Sequence, residues 1–100
     1  MIVKFIEIYE STNVHSNDAS RNYSLREVFI NPEQVVCIRS DSSFKQKLQE
    51  GILPSGLDPR QDFSRVYLNR GQFGLDIIVV GAPSSVEETL KKNKKQLLKG

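Results

Sequence analysis

Apolar and polar positions divide this chain into short extended runs separated by polar, turn-forming stretches. Ile2 to Tyr9 (Ile-Val-Lys-Phe-Ile-Glu-Ile-Tyr) holds three isoleucines, a valine and two aromatics in eight positions, a composition that predicts a strand. Its alternation is imperfect, because Ile2 and Val3 are adjacent and so are Phe5 and Ile6. A strand covered on both faces, or paired across a subunit boundary, has that pattern. Glu10 to Ser24 is dominated by Ser, Thr, Asn and Asp and predicts a polar loop or weak hairpin tip. Leu25 to Ile30 returns to strand character, with Leu25, Glu27 and Phe29 on one side and Arg26, Val28 and Ile30 on the other. Asn31-Pro32-Glu33 predicts a turn, since proline fixes φ and asparagine can bond the backbone beyond it. Gln34 to Arg39 is the next strand; four consecutive apolar residues, Val35 to Ile38, predict a central position in the sheet.

Asp41-Ser42-Ser43 then opens a short helix over Phe44 to Glu50, with Phe44 and Leu48 one turn apart and Gly51 as its stop. Pro54, Gly56 and Pro59 make 52–62 a loop. Arg65 to Leu68 and Leu75 to Val80 predict two strands joined at Asn69-Arg70-Gly71. Gly81-Ala82-Pro83 ends the second, and Ser84 or Ser85 is positioned to cap a final helix with a glutamate three residues on. Short connections favour antiparallel neighbours. The expected fold is α+β: a single domain over 1–100, built on a small antiparallel β sheet or partly open barrel of about five strands. One short helix is inserted and another lies at the C-terminus.

The chain has 100 residues, 38% of them hydrophobic and 26% charged, which suits one soluble domain with a modest core. No apolar run approaches the ~20 residues of a membrane span, and Met1-Ile2-Val3-Lys4 is too short an apolar start for a signal peptide. The lone Cys37 has no partner for an internal disulfide, so a reducing cytoplasm is expected. Among Val35, Val36 and Ile38 it reads as a small buried hydrophobe.

Little in the sequence suggests catalysis. His15, the only histidine, lies in the most polar loop without nearby ligand-type residues, so no metal is expected. Glu7, Glu27, Asp58, Asp62 and Asp76 are scattered along the chain and are expected to face solvent, which gives no convergent acid–base pair. Gly71-Gln72-Phe73-Gly74 joins two strands and opens no helix, so it reads as turn geometry and not as a phosphate cradle. The expectation is a non-enzyme without a cofactor.

Net charge is only +2, yet Lys91, Lys92, Lys94, Lys95 and Lys99 place five of the fourteen basic residues in the last ten positions. At ~100° per residue Val86, Leu90, Asn93 and Leu97 share one helical face, while Lys91, Lys95, Lys99 and Glu88 share the opposite one. An ordinary amphipathic helix explains this, with Glu87–Lys91 and Glu88–Lys92 as i,i+4 pairs; a phosphate-contacting face is the functional alternative. A second candidate set is Arg60, Arg65 and Arg70, with Arg39 and Arg21. Arginine matches phosphates and base edges bidentately, although Asp58 and Asp62 are close enough in sequence to pair with these side chains instead. The aromatics, Tyr23, Phe44, Phe63, Tyr67 and Phe73, read as core filling.

The succession Lys4-Phe5-Ile6-Glu7-Ile8, Val35-Val36-Cys37-Ile38, the helix from Ser42 to Glu50, Arg65-Val66-Tyr67-Leu68 and Ile77-Ile78-Val79-Val80 before Pro83 and Val86 resembles the RemA family of bacterial matrix-gene regulators. That resemblance implies a homo-oligomer binding double-stranded DNA through arginines, with Arg60 and Arg65 nearest the relevant segment. The family's adjacent arginines are replaced here by Arg60-Gln61-Asp62, and the polar loop is longer. A second segment set, Glu27 to Val35, Val66 to Gly71 and Ser85 to Glu88, is similar to the FlbD/SwrD flagellar and swarming proteins, which implies a small non-enzymatic β protein. The functional expectation is a nucleic-acid-binding regulator acting as a homo-oligomer, with Arg60, Arg65, Arg70, Lys91 and Lys95 as the contacting cations. The alternative is a module that binds a partner protein through a strand edge or the polar loop.

Overall fold

The computed structural model describes residues 2–10, 23–70 and 73–99, with side chains at 2–10, 23–69 and 75–92. Five strands, β1 (Val3–Glu10), β2 (Tyr23–Ile30), β3 (Val35–Ser40), β4 (Phe63–Arg70) and β5 (Phe73–Val80), form one antiparallel sheet in the order β2-β1-β5-β4-β3. A 3-10 turn (Pro32–Gln34) links β2 to β3, α1 (Ser42–Gln49) follows β3, and α2 (Pro83–Lys99) follows β5. This is the predicted α+β architecture.

β2 and β3 are consecutive in sequence but occupy opposite edges of the sheet. A flat five-stranded sheet holds its edges about 19 Å apart, farther than a link containing a 3-10 turn reaches. The sheet therefore curls until its edges approach. Arg26, Val28 and Ile30 of β2 accordingly line one cleft with Leu68 of β4 and Leu75 and Ile77 of β5, enclosing about 290 Å³. The curl stops short of closure.

Strand alternation sends side chains to two faces with separate cores. On the concave face, Val3, Phe5, Ile30, Val66, Ile77 and Val79 pack with Val86 and Leu90 of α2. Val86 and Leu90 lie on the predicted apolar stripe, and burying each contributes about 1.5–3 kcal/mol. On the other face Ile8, Phe63 and Ile78 pack with Leu53 of the 52–62 loop, flanked by Phe44 and Leu48 of α1 and by Leu57. That second cover lies over one end of the sheet only.

Local chemistry sets the helix ends. Asp41 is extended (φ −116°) and its carboxylate accepts from the Phe44 N–H at 3.0 Å, making it the cap of α1. Gly51 takes φ +75°, and the bonds Gly51 N–H to Leu48 O and Ile52 N–H to Lys47 O close a Schellman motif.

Several boundaries differ from the sequence reading. β2 begins at Tyr23, so the polar connection is shorter than 10–24; residues 11–22, with His15 and Arg21, lie outside the described residues. β3 is an edge strand, not a central one. Its apolar run is accommodated by a bulge between Val35 and Cys37, which turns Val36 to solvent and leaves Cys37 half-buried. β4 and β5 pair through Asn69↔Gly74 and Arg70↔Phe73, so the strands run through the residues expected to form the turn. α2 starts at Pro83, a residue suited to the first helical position, which puts Ser84 and Ser85 inside the first turn and not at a cap.

Candidate functional site

The described cations are largely neutralised within the chain. Arg65 on β4 spans two carboxylates: its Nε and Nη2 donate to Asp41 Oδ2 at 3.2 and 3.0 Å, and its Nη1 donates to Asp76 Oδ2. Arg60 is 91% exposed and sits 3.5 Å from Asp58, in the loop. Lys91 on α2 meets Glu87 at 2.8 Å, the predicted i,i+4 pair. The companion Glu88–Lys92 pair is not formed among the described residues. Asp62, expected near the arginines, pairs with Lys45 of α1. Arg39 lies over the Tyr67 ring, 5.8 Å from its centroid. The side chains of Arg70 and Lys95 lie outside the described residues.

Register places Arg65 opposite Ile78 and Arg39, on the face away from α2, whereas Lys91 projects from the helix covering the concave face. Arg65 and Lys91 are therefore on opposite sides of the sheet. Arg60 lies near Gly81, Ala82 and Ser85 at the start of α2.

Asp41 joins two elements: it caps α1, where it also accepts from Ser43 Oγ at 2.6 Å, and it holds Arg65 of β4. Burial by itself raises its carboxyl pKa, but the bonds from Ser43, the Phe44 N–H and Arg65, with the attraction of Arg65, outweigh that and hold it below 3.8. Glu7 is the second buried carboxylate, against the expectation that it faces solvent. It projects onto the concave face and accepts from Arg26 Nε at 2.8 Å, while the Arg26 guanidinium also lies 4.0 Å over the Tyr9 ring. Both carboxylates are structural in geometry, tying one element to the next. No three His, Cys, Asp or Glu side chains converge as a metal site, and no helix is long and apolar enough to cross a membrane, among the described residues.

The surface that sequence reading missed is the outer face of the β1–β2 ribbon. β1 pairs with β2 along all eight residues but with β5 only at Glu7 and Ile8, so the Val3–Ile6 half of β1 has no β5 partner. α2 covers the concave side of this half through Val3 and Phe5. The opposite side carries Ile2 (65% exposed), Phe29 (61%), Ile6 and Leu25 (both 36%). In the register Lys4↔Phe29, Ile6↔Glu27 and Ile8↔Leu25, Phe29, Ile6 and Leu25 are diagonal neighbours across the strands, and Ile2 immediately precedes β1 at the same end as Phe29. They form a zigzag, with Lys4 and Glu27, 3.7 Å apart, on the crossing diagonal. Below the zigzag, Ile6 and Leu25 continue with Leu57 and Val80 into a shallow apolar groove of about 420 Å³. The broken alternation at Ile2-Val3 and Phe5-Ile6 was the signal available in the sequence.

No family model matches this chain, and no curated protein or solved structure matches it either. The resemblances to the RemA and FlbD/SwrD families rest on the segments quoted above.

Proposed function

We propose that this chain is a non-catalytic protein-interaction module whose docking surface is the outer face of the β1–β2 ribbon and the adjoining edge of β2. The observation that carries this reading is the zigzag of Ile2, Phe29, Ile6 and Leu25, left open on a strand pair whose other side packs on α2 through Val3 and Phe5. At roughly 200 Å² per large apolar residue, the zigzag leaves on the order of 400 Å² uncovered. Contiguous patches of this size on small domains are commonly binding sites. Among the described residues β2 adds an unpaired edge: it runs eight residues in unbroken register with β1, without proline or bulge, whereas the β3 edge is bulged.

The nucleic-acid regulator implied by the RemA-like resemblance draws less on this geometry. Duplex affinity grows with the number of phosphates neutralised on one surface, and Arg65, held by Asp41 and Asp76, lies on the opposite side of the sheet from Lys91. A photo-crosslinking amino acid at position 29, introduced in producing cells, should give protein adducts, with few or none from the exposed position 92 on α2. Absence of adducts at 29, together with a salt-dependent duplex DNA shift lost in the Arg60→Ala, Arg65→Ala double variant, would reject this reading in favour of the nucleic-acid one.

A further inference from the structure

Resting on that reading, we infer that the partner docked on the β1–β2 outer face is a second copy of this chain, seated about a two-fold axis along the Ile6–Phe29 diagonal. A two-fold interface must be self-complementary, because the same patch supplies both sides. This patch meets that condition in charge. Lys4 and Glu27 occupy one diagonal of a cross-strand rectangle and Ile6 and Phe29 the other. Rotation about the Ile6–Phe29 line stacks Phe29 on its copy and Ile6 on its copy. The same rotation carries Lys4 over the partner's glutamate and Glu27 over the partner's lysine. Two ion pairs form across the interface, and the two apolar side chains on the axis, Ile6 and Phe29, each meet their own copy. Strand spacing of about 4.8 Å and a same-face repeat of about 6.8 Å set that diagonal about 35° from the strands, so the two ribbons cross at about 70°.

The existing Lys4–Glu27 contact presents no obstacle. It is long at 3.7 Å, and both side chains are more than half exposed; such pairs contribute little, so exchanging partners costs little. The strand pattern points the same way. Adjacent apolar residues at Phe5-Ile6 and Ile2-Val3 require cover on both faces, and α2 supplies only one. Ile6 and Phe29, the apolar residues on the axis, expose on the order of 200 Å², about a quarter of what each partner buries in a standard interface. The remainder falls to a polar rim around Lys4 and Glu27, so the dimer is a weak one that forms with concentration.

Sedimentation equilibrium of the purified full chain should show a monomer–dimer equilibrium. Phe29→Asp should raise its dissociation constant roughly tenfold or more, as expected for a central aromatic anchor. The decisive test is charge exchange. K4E and E27K should each weaken self-association, and an equimolar mixture of the two variants should form heterodimers better than either forms homodimers, because only the mixed pair places opposite charges at both contacts. An ion pair confined within one chain cannot produce that mixing effect. A chain that stays monomeric at all concentrations, or a dimer indifferent to Phe29→Asp and to mixing, overturns the inference. If monomeric protein still gives position-29 adducts of a different mass in cells, self-docking fails while the interaction-module reading stands; if position 29 gives no adduct and the arginine-dependent DNA shift is found, both fail.

Discussion

Replacing Asp41 by alanine removes one buried carboxylate that serves α1, β4 and the chain entering α1 together. Two parts of its contribution can be separated. The cap bond to the Phe44 N–H contributes about 1 kcal/mol. The charge-assisted bonds from Arg65 contribute about 1.5–3 kcal/mol on general grounds. The lower end applies here, because the Arg65 side chain is one-third exposed and retains Asp76. Asp41→Ala should therefore destabilise the fold by about 2–3 kcal/mol, a large share of the 5–15 kcal/mol typical of a whole domain. For a chain of this length that is a fall in Tm of about 10–25 °C. Asp41→Ser keeps a capping oxygen but no charge for Arg65, and should cost about half as much. Urea and thermal unfolding followed by far-UV circular dichroism measure both variants. An Asp41→Ala protein within about 0.5 kcal/mol of the parent, or an Asp41→Ser protein as damaged as Asp41→Ala, would refute the assignment of two separable roles.

Asp41 also sets an acid response. Its carboxyl pKa is lower in the folded state than the ordinary 3.8 of the unfolded chain, so the unfolded chain takes the proton first as pH falls. Its contribution is complete above that ordinary value and is lost as pH drops through the depressed folded one; the urea midpoint should decline over this range, and less steeply in Asp41→Asn. Phe63, 1% exposed between Phe44, Leu53 and Ile78, should cost about 3–5 kcal/mol as alanine, with loss of the cooperative transition as the readout. Gly51→Ala meets no neighbouring atom but forces a Cβ into φ +75°, so calorimetry should find a loss of about 1 kcal/mol, without the larger drop a steric clash would give. Phe29→Asp should leave monomer stability within about 0.5 kcal/mol, because the residue is 61% exposed, and a larger loss would mean that it serves the fold.

Much of the strand and helix content was legible because short-range chemistry decides it. The β-branched runs gave β1, β4 and β5, Asp41 to Gly51 marked both ends of α1, and Val86 with Leu90 identified the buried stripe of α2. Misplaced features were those whose cause lies across the sheet. Four apolar residues at Val35 to Ile38 read as a central strand, yet β3 lies at an edge, where a bulge disposes of Val36. Arg65 read as an outward cation, and only the register between β3, β4 and β5, with the cap of α1 beside it, shows that two carboxylates hold it.

The sequence by itself determined the alternation of each strand and the polarity of each helix, because side-chain period and capping chemistry act over a few residues. Which of two apolar faces would be covered was decided by the tertiary structure alone. The single α2 can lie on only one side of the β1–β2 ribbon, and by packing on Val3 and Phe5 it leaves Ile2, Ile6 and Phe29 on the side facing water.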